Sequence, residues 1–245
     1  MADVNKALEI NPRSAEAYLA KSICTPHGDN QEERKLEYVN KAIELNPRYA
    51  EAYAHRAGIY SVQSTFYLIG GDKIQYENKL QQVIDDYSKA IEFDSKYYGS
   101  RGHVYFRLKK YEQAMTDANK MVEMYPQNYY GYMLRGFIYS EKRNYQAAIL
   151  DYTKAIEIIK KVKDKDKTQF NDNNAWLHLY RGKAYMQLDE CENAINDYNV
   201  CITEHLERIY PEVYILRGGT YAQMGDKENA KKDLVKFKEL TVHKG

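Results

Sequence analysis

One motif returns along this chain at intervals of 34 to 46 residues, and it limits the fold more than any other feature. It reads Tyr-x-x-Arg-Gly-x-x-Tyr, as in Tyr98–Tyr105 and Tyr132–Tyr139. The Arg-Gly pairs end at Gly102, Gly136, Gly182 and Gly218, and the first two of these glycines lie 34 residues apart. Each motif is followed by a short polar turn and a second amphipathic run. Spacing i, i+3, i+4, i+7 puts the four motif residues on adjoining parts of one helix face. A two-helix unit at this period cannot bury its apolar face alone, so neighbours must stack into a solenoid. A helical glycine costs about 1 kcal/mol relative to alanine. Its return therefore implies close approach of the facing helix. The expected counterpart is the small residue of the second helix, Ala114, Ala148, Ala194 or Ala230.

Composition agrees with this and narrows the function. The 245 residues are 44% hydrophobic and 29% charged, as in a folded globular chain. The formal net charge of +1 gives no overall field for nucleic acid or an anionic membrane, so neither is an expected partner. No apolar run approaches the ~20 residues that span a bilayer. Asp3, Asn5 and Lys6 follow Met1 where a signal peptide would turn apolar. Cys24, Cys191 and Cys201 are odd in number and scattered, so they form no disulfide framework. Compartment stays open, with the cytoplasm favoured. Scarce Gly (13) and Pro (5) beside abundant Tyr (25) suit layered helices carrying half-buried rings.

Taken in order, residues 1–12 look like the second helix of an incomplete repeat: DVNKALEINP matches YVNKAIELNP, which ends at Pro47. The chain then reads as cut from a longer protein. An array over 13–245 follows, with repeats at about 15–47, 50–94, 95–128, 129–159, 175–206 and 211–240. Repeat 1 breaks at Pro26-His27-Gly28-Asp29. Repeat 2 carries an insertion, 61–82, in which Gly70-Gly71 turns the chain between lengthened, protruding helices. Residues 160–174, KKVKDKDKTQFNDNN, form a polar linker without apolar period. In the last helix Phe237 stands where other repeats have Ala42, Ala90, Ala155 or Cys201, which marks a C-terminal cap.

The pattern of aromatic, then Gly, then Tyr in the first helix, with two alanines and often a terminal proline in the second, resembles the tetratricopeptide repeat (TPR) family. The resemblance covers nearly the whole chain outside the insertion and the linker. It implies an all-α, right-handed superhelical solenoid of antiparallel helix pairs. The chain departs from the family in one systematic way. Where the family has Leu before Gly, it carries Arg56, Arg101, Arg135, Arg181 and Arg217. A fixed place in the second helix holds Asp86, Asp117, Asp151, Asp197 and Asp233. Repeat 1 has Lys21 and Tyr38 instead, so the two types come and go together. This predicts structural ion pairs between helices, repeated too often along the solenoid for a catalytic role.

TPR resemblance implies a scaffold, not an enzyme, whose first helices line a concave groove for a partner peptide or helix. By position, groove residues are Lys96, His103, Phe106 and Arg107 in repeat 3, Tyr130, Met133 and Phe137 in repeat 4, and Trp176, Leu179, Lys183 and Met186 in repeat 5. Aromatics and methionine on such a wall suit an apolar or amphipathic segment. A chaperone-tail clamp does not assemble, because its places hold Gly99 and His103, Met133 and Phe137, Leu179 and Lys183. An asparagine ladder of the sugar-transferase type is missing, because its places hold His55, Ser100, Leu134, Tyr180 and Leu216. Asp164, Asp166 and Thr168 begin like a calcium loop but lack its Gly and closing Glu. No cofactor, metal or catalytic residue is expected. Two alternatives stand: self-association through the apolar face at the N-terminus, and a regulatory or adaptor segment of a larger enzyme or secretion complex.

Overall fold

The computed structural model describes residues 2–26, 31–163 and 171–242. Among the described residues there are thirteen α-helices and no strand. Helices α1 (Ala2–Ile10), α2 (Ala15–Cys24), α3 (Gln31–Leu45), α4 (Ala50–Ile69), α5 (Lys73–Phe93) and α6 (Tyr98–Arg107) come first. They are followed by α7 (Tyr111–Met124), α8 (Tyr129–Glu141), α9 (Tyr145–Lys163), α10 (Asn171–Met186), α11 (Cys191–Thr203), α12 (Glu212–Gln223) and α13 (Lys227–Val242). The chain forms two compact units, Met1–Lys120 and Met121–Gly245.

In the first unit, one core joins Leu19 of α2, Val39 and Ala42 of α3, and Ala52 and Ile59 of α4. A second joins Ala57 of α4, Leu80, Val83 and Ile84 of α5, and Val104 of α6. In the second unit, Ala148, Tyr152, Ala155, Ile156 and Ile159 of α9 meet Leu177 of α10. Another core runs from α10 through Ala194, Tyr198 and Cys201 of α11 to Val213 and Tyr214 of α12. Each core therefore bridges one helix pair to the next, as the stacking argument requires.

The insertion in repeat 2 is one long helical hairpin. Gly71 turns it with φ +76°, and Asp72 caps α5 by accepting from the Gln75 amide at 3.0 Å. Its apex carries Phe66, Ile69 and Ile74 at 67%, 79% and 72% exposure. Its base differs: Ser64 and Leu80 are fully buried, and Leu80 belongs to the core. Of the polar stretch 160–174, residues 160–163 belong to α9 and 171–174 to α10, with Ile158, Ile159 and Asn174 buried; residues 164–170 lie outside the described residues. Asp164, Asp166 and Thr168 lie outside the described residues, as do His27, Gly28 and Asp29.

Candidate partner-binding cleft

The five arginines before the helical glycine, or before Ala57 in α4, each grip the aspartate of the following helix with two donors. Nε and Nη2 of Arg56 donate to Asp86 at 2.8 and 2.6 Å. The corresponding distances are 2.8 and 2.8 Å for Arg101–Asp117, and 2.7 and 2.7 Å for Arg135–Asp151. They are 2.9 and 2.7 Å for Arg181–Asp197, and again for Arg217–Asp233. All five aspartates are buried. Such parallel two-donor contacts fix orientation as well as charge. Repeat 1, with Lys21 and Tyr38, substitutes a lysine over a ring at 4.9 Å. In α10, His178 takes the place of the motif's first tyrosine. It also donates Nδ1–H to Asp197, at 2.6 Å. Burial alone would raise the Asp197 carboxyl; the bonds from Arg181 and His178 outweigh it and hold the group below the usual carboxylate range.

Two of the motif glycines, Gly136 and Gly182, face a close neighbour other than the expected alanine. A Cβ on Gly136 would lie 2.6 Å from the ring of Tyr152, and one on Gly182 would lie 2.8 Å from the ring of Tyr198. These tyrosines directly follow the paired aspartates, so the aspartate's neighbour fills the space that the glycine vacates. In α12 a Cβ on Gly218 would meet Cβ of Asp233 at 3.1 Å and the backbone oxygen of the expected Ala230 at 3.4 Å.

The residues expected to line a groove divide by environment. Leu179 is a correction: it is fully buried in the core that joins α10, α11 and α12, and cannot meet a partner. Phe137 is half-buried, edge-on to Tyr180 at 4.6 Å and 5.8 Å from Tyr152, and Met133 packs against the same core. Tyr130 is half-buried on the first turn of α8. Trp176 packs on Tyr210 at 5.5 Å and Tyr180 at 6.2 Å. In the first unit, Lys96 is engaged by Asp94 and Glu51 at 2.6 and 3.1 Å. Arg107 donates to Ser61 and Ser64 at 3.2 and 3.3 Å and lies over Tyr76, tying α6 to the hairpin. Phe106 leans on Tyr111 at 5.8 Å, and His103 is exposed.

Lys183 and Met186 do reach a cleft, of about 620 Å³, in the second unit. Its walls are the first helices of three successive pairs. Helix α8 contributes Ser140 and Glu141; α10 contributes Tyr180, Lys183 and Met186, with Gln187 just after it; α12 contributes Ile215, Leu216, Gly219, Thr220 and Gln223; Tyr145 of α9 and Tyr198 of α11 also line it. The α12 wall was not among the expected positions. A signal for it was present in the Gly218-Gly219 pair, since only the first glycine is needed for packing. A Cβ on Gly219 would meet nothing within 4 Å. Thr220 donates to the Met186 sulfur at 3.0 Å and to the Leu216 carbonyl at 2.9 Å, which fixes the floor. Burial pushes the Tyr180 phenol up, keeping it a neutral donor. Cys201, beneath this region, is pushed up to about 12 by burial, so its thiol stays protonated. Among the described residues no group of His, Cys, Asp and Glu is arranged to hold a metal, and no helix is long and apolar enough to cross a membrane.

Antiparallel helix pairs, stacked with their first helices along one cleft, define an all-α helical-repeat protein. Three stretches of the chain, residues 95–128, 129–161 and 211–241, match the family model described as Tetratricopeptide repeat. No curated protein sequence matches the chain. Several solved structures share the fold. The APC/C hetero-tetramer Cut9-Hcn1 superposes with a TM-score of 0.70 at 19% identity, covering 98% of this chain but 42% of the other. pilF of Pseudomonas aeruginosa gives 0.69 at 16% identity, covering 93% and 91%. YrrB, described as a TPR protein with an unusual peptide-binding site, gives 0.59 at 19% identity, covering 83% and 92%.

Proposed function

We propose that this chain is an interaction scaffold that holds a segment of a partner protein in the cleft walled by α8, α10 and α12. The observation that carries the reading is Gly219. It is a glycine in mid-helix with open space above it, on a wall of otherwise apolar and amide side chains. Such a site costs helix stability and offers backbone access in return. An apolar floor with amides and a hydroxyl at its margin is the composition of a peptide site rather than of a reaction centre. The peptide-binding description of YrrB, a protein of the same fold, supports the same class.

The test is affinity capture with the parent, Gly219→Ala and Gly219→Leu. A methyl fits the open space, and a leucine fills it. A partner kept by the parent and the alanine variant but lost by the leucine variant is the expected result. A partner retained by Gly219→Leu at the parent level would move binding out of the cleft.

A further inference from the structure

The cleft holds one cation, Lys183, and it meets two rings where Lys21 and Lys79 each meet one, over Tyr38 at 4.9 Å and over Tyr60 at 4.8 Å. Lys41, Lys89, Lys154 and Lys236 each meet a carboxylate three residues on, at 2.8 to 3.5 Å. Lys183 meets none among the described residues. The residue is half-buried in the cleft wall, and its ammonium lies 5.7 Å from the Tyr180 ring centre and 5.4 Å from that of Tyr210. Two ring faces attract the ammonium and hold it in place, but they do not neutralise its charge. The flexible stem could carry the charge out to water. Here it lies instead between two rings, at the mouth of an apolar cleft. A positioned cation without an anion is a recognition element for one.

We infer that the segment bound in the cleft carries an acidic side chain beside a large apolar one, and that Lys183 reads the acid. This rests on the cleft being the binding site. The apolar residue seats on Ile215, Leu216 and Met186, over the open face of Gly219. The carboxylate replaces water on the Lys183 ammonium. The segment's acid is placed toward α10, where Lys183 stands. Tyr180 and Tyr210 exclude water around the pair, which strengthens a contact that would be weak on open surface.

Phage selection from a random peptide library against the intact chain tests this without a known partner. Selected peptides are then measured against the parent, Lys183→Met, Lys183→Arg and Gly219→Leu, after circular dichroism shows matching folds. The expected result is Asp or Glu within two positions of Leu, Phe, Ile or Met in the enriched set. Affinity should fall roughly tenfold or more in Lys183→Met, the loss of one charge-assisted contact, and largely survive in Lys183→Arg. Exchanging the peptide's acid for its amide should cost the parent the same factor and cost Lys183→Met nothing. Peptides blocked by Gly219→Leu but lacking an acid, or indifferent to Lys183→Met, overturn the acidic assignment alone. Peptides indifferent to Gly219→Leu, or no enrichment at all, overturn the cleft reading as well.

Discussion

At the scale of the residue, four of the five paired arginines, Arg56, Arg101, Arg181 and Arg217, each hold three helices at once. Two donors go to the aspartate of its own pair, and the remaining Nη goes back to the preceding second helix. The acceptors are Asn40 for Arg56, Ser88 for Arg101, Thr153 for Arg181 and Asn199 for Arg217. Ser88, Thr153 and Asn199 each stand two places after a paired aspartate, so one second helix serves two consecutive arginines. Removing the carboxylate strands a mostly buried guanidinium: Asp151→Ala should cost about 2–4 kcal/mol in denaturant melts, given that the Arg135 side chain keeps 23% exposure. Thr153→Ala removes a neutral acceptor and should cost only about 1 kcal/mol. An Asp151→Ala variant that melts with the parent would sink the pairing account. The depressed Asp197 carboxyl sets a pH limb as well. Its stabilisation is present above the unfolded carboxylate value of about 4 and is lost as pH falls through the lower folded value. Melting temperature should fall over that window, and Asp197→Asn should flatten the limb while lowering stability at pH 7. Among the glycines, Gly136→Ala drives a methyl to 2.6 Å from Tyr152 and should cost about 1–3 kcal/mol. Gly219→Ala meets nothing and should gain about 1 kcal/mol of helix propensity. The arginine and aspartate were legible because both return unchanged in type. Their third partner was not, because Asn, Ser and Thr interchange there. Nor does periodicity tell which facing side chain fills the space above a glycine.

At the scale of the element, the turn from first to second helix repeats a single backbone device. Lys109, Arg143 and Asp189 sit at φ near +57° to +58°, and Gly225 occupies the same place in the last pair at +83°. A left-handed residue satisfies the helix's last carbonyls, and glycine is the residue that adopts it without Cβ strain. Arg143→Gly should therefore raise the melting temperature, by up to about 1 kcal/mol in stability, and a clear loss would show that the arginine side chain does more there than its backbone strain costs. The hairpin of α4 and α5 divides differently. Leu80→Ala empties a core position and should cost about 2–5 kcal/mol, whereas Ile74→Ser at the apex should stay within about 0.5 kcal/mol. The two helices and their Gly-Gly turn could be read from the sequence. The split between a buried base and a bare apex could not, because Val104 of α6 covers Leu80 from outside the insertion.

At the scale of the whole molecule, what was legible was the repeat, and what was not was the order of burial within it. Groove positions carried over by register assume that every first helix meets its neighbours alike. In α10, Val213 and Tyr214 of the next pair close over Leu179, so a position expected to face a partner became core. The same covering moved the cleft one pair toward the C-terminus, onto α12. A stack of this kind is nearly one-dimensional: each pair is stabilised by itself and by the pairs beside it. Lost stability should then stay near its source rather than spread evenly. Asp197→Ala removes the acceptor shared by Arg181 and His178, at the centre of the second unit. Hydrogen exchange on this variant should show the largest loss of amide protection in α10, α11 and α12. Protection in α3 and α4, whose core is Leu19, Val39, Ala42, Ala52 and Ile59, should change far less. Equal loss across both sets of helices would mean that the chain unfolds as one cooperative body, and the repeat-by-repeat account of its stability would have to be abandoned.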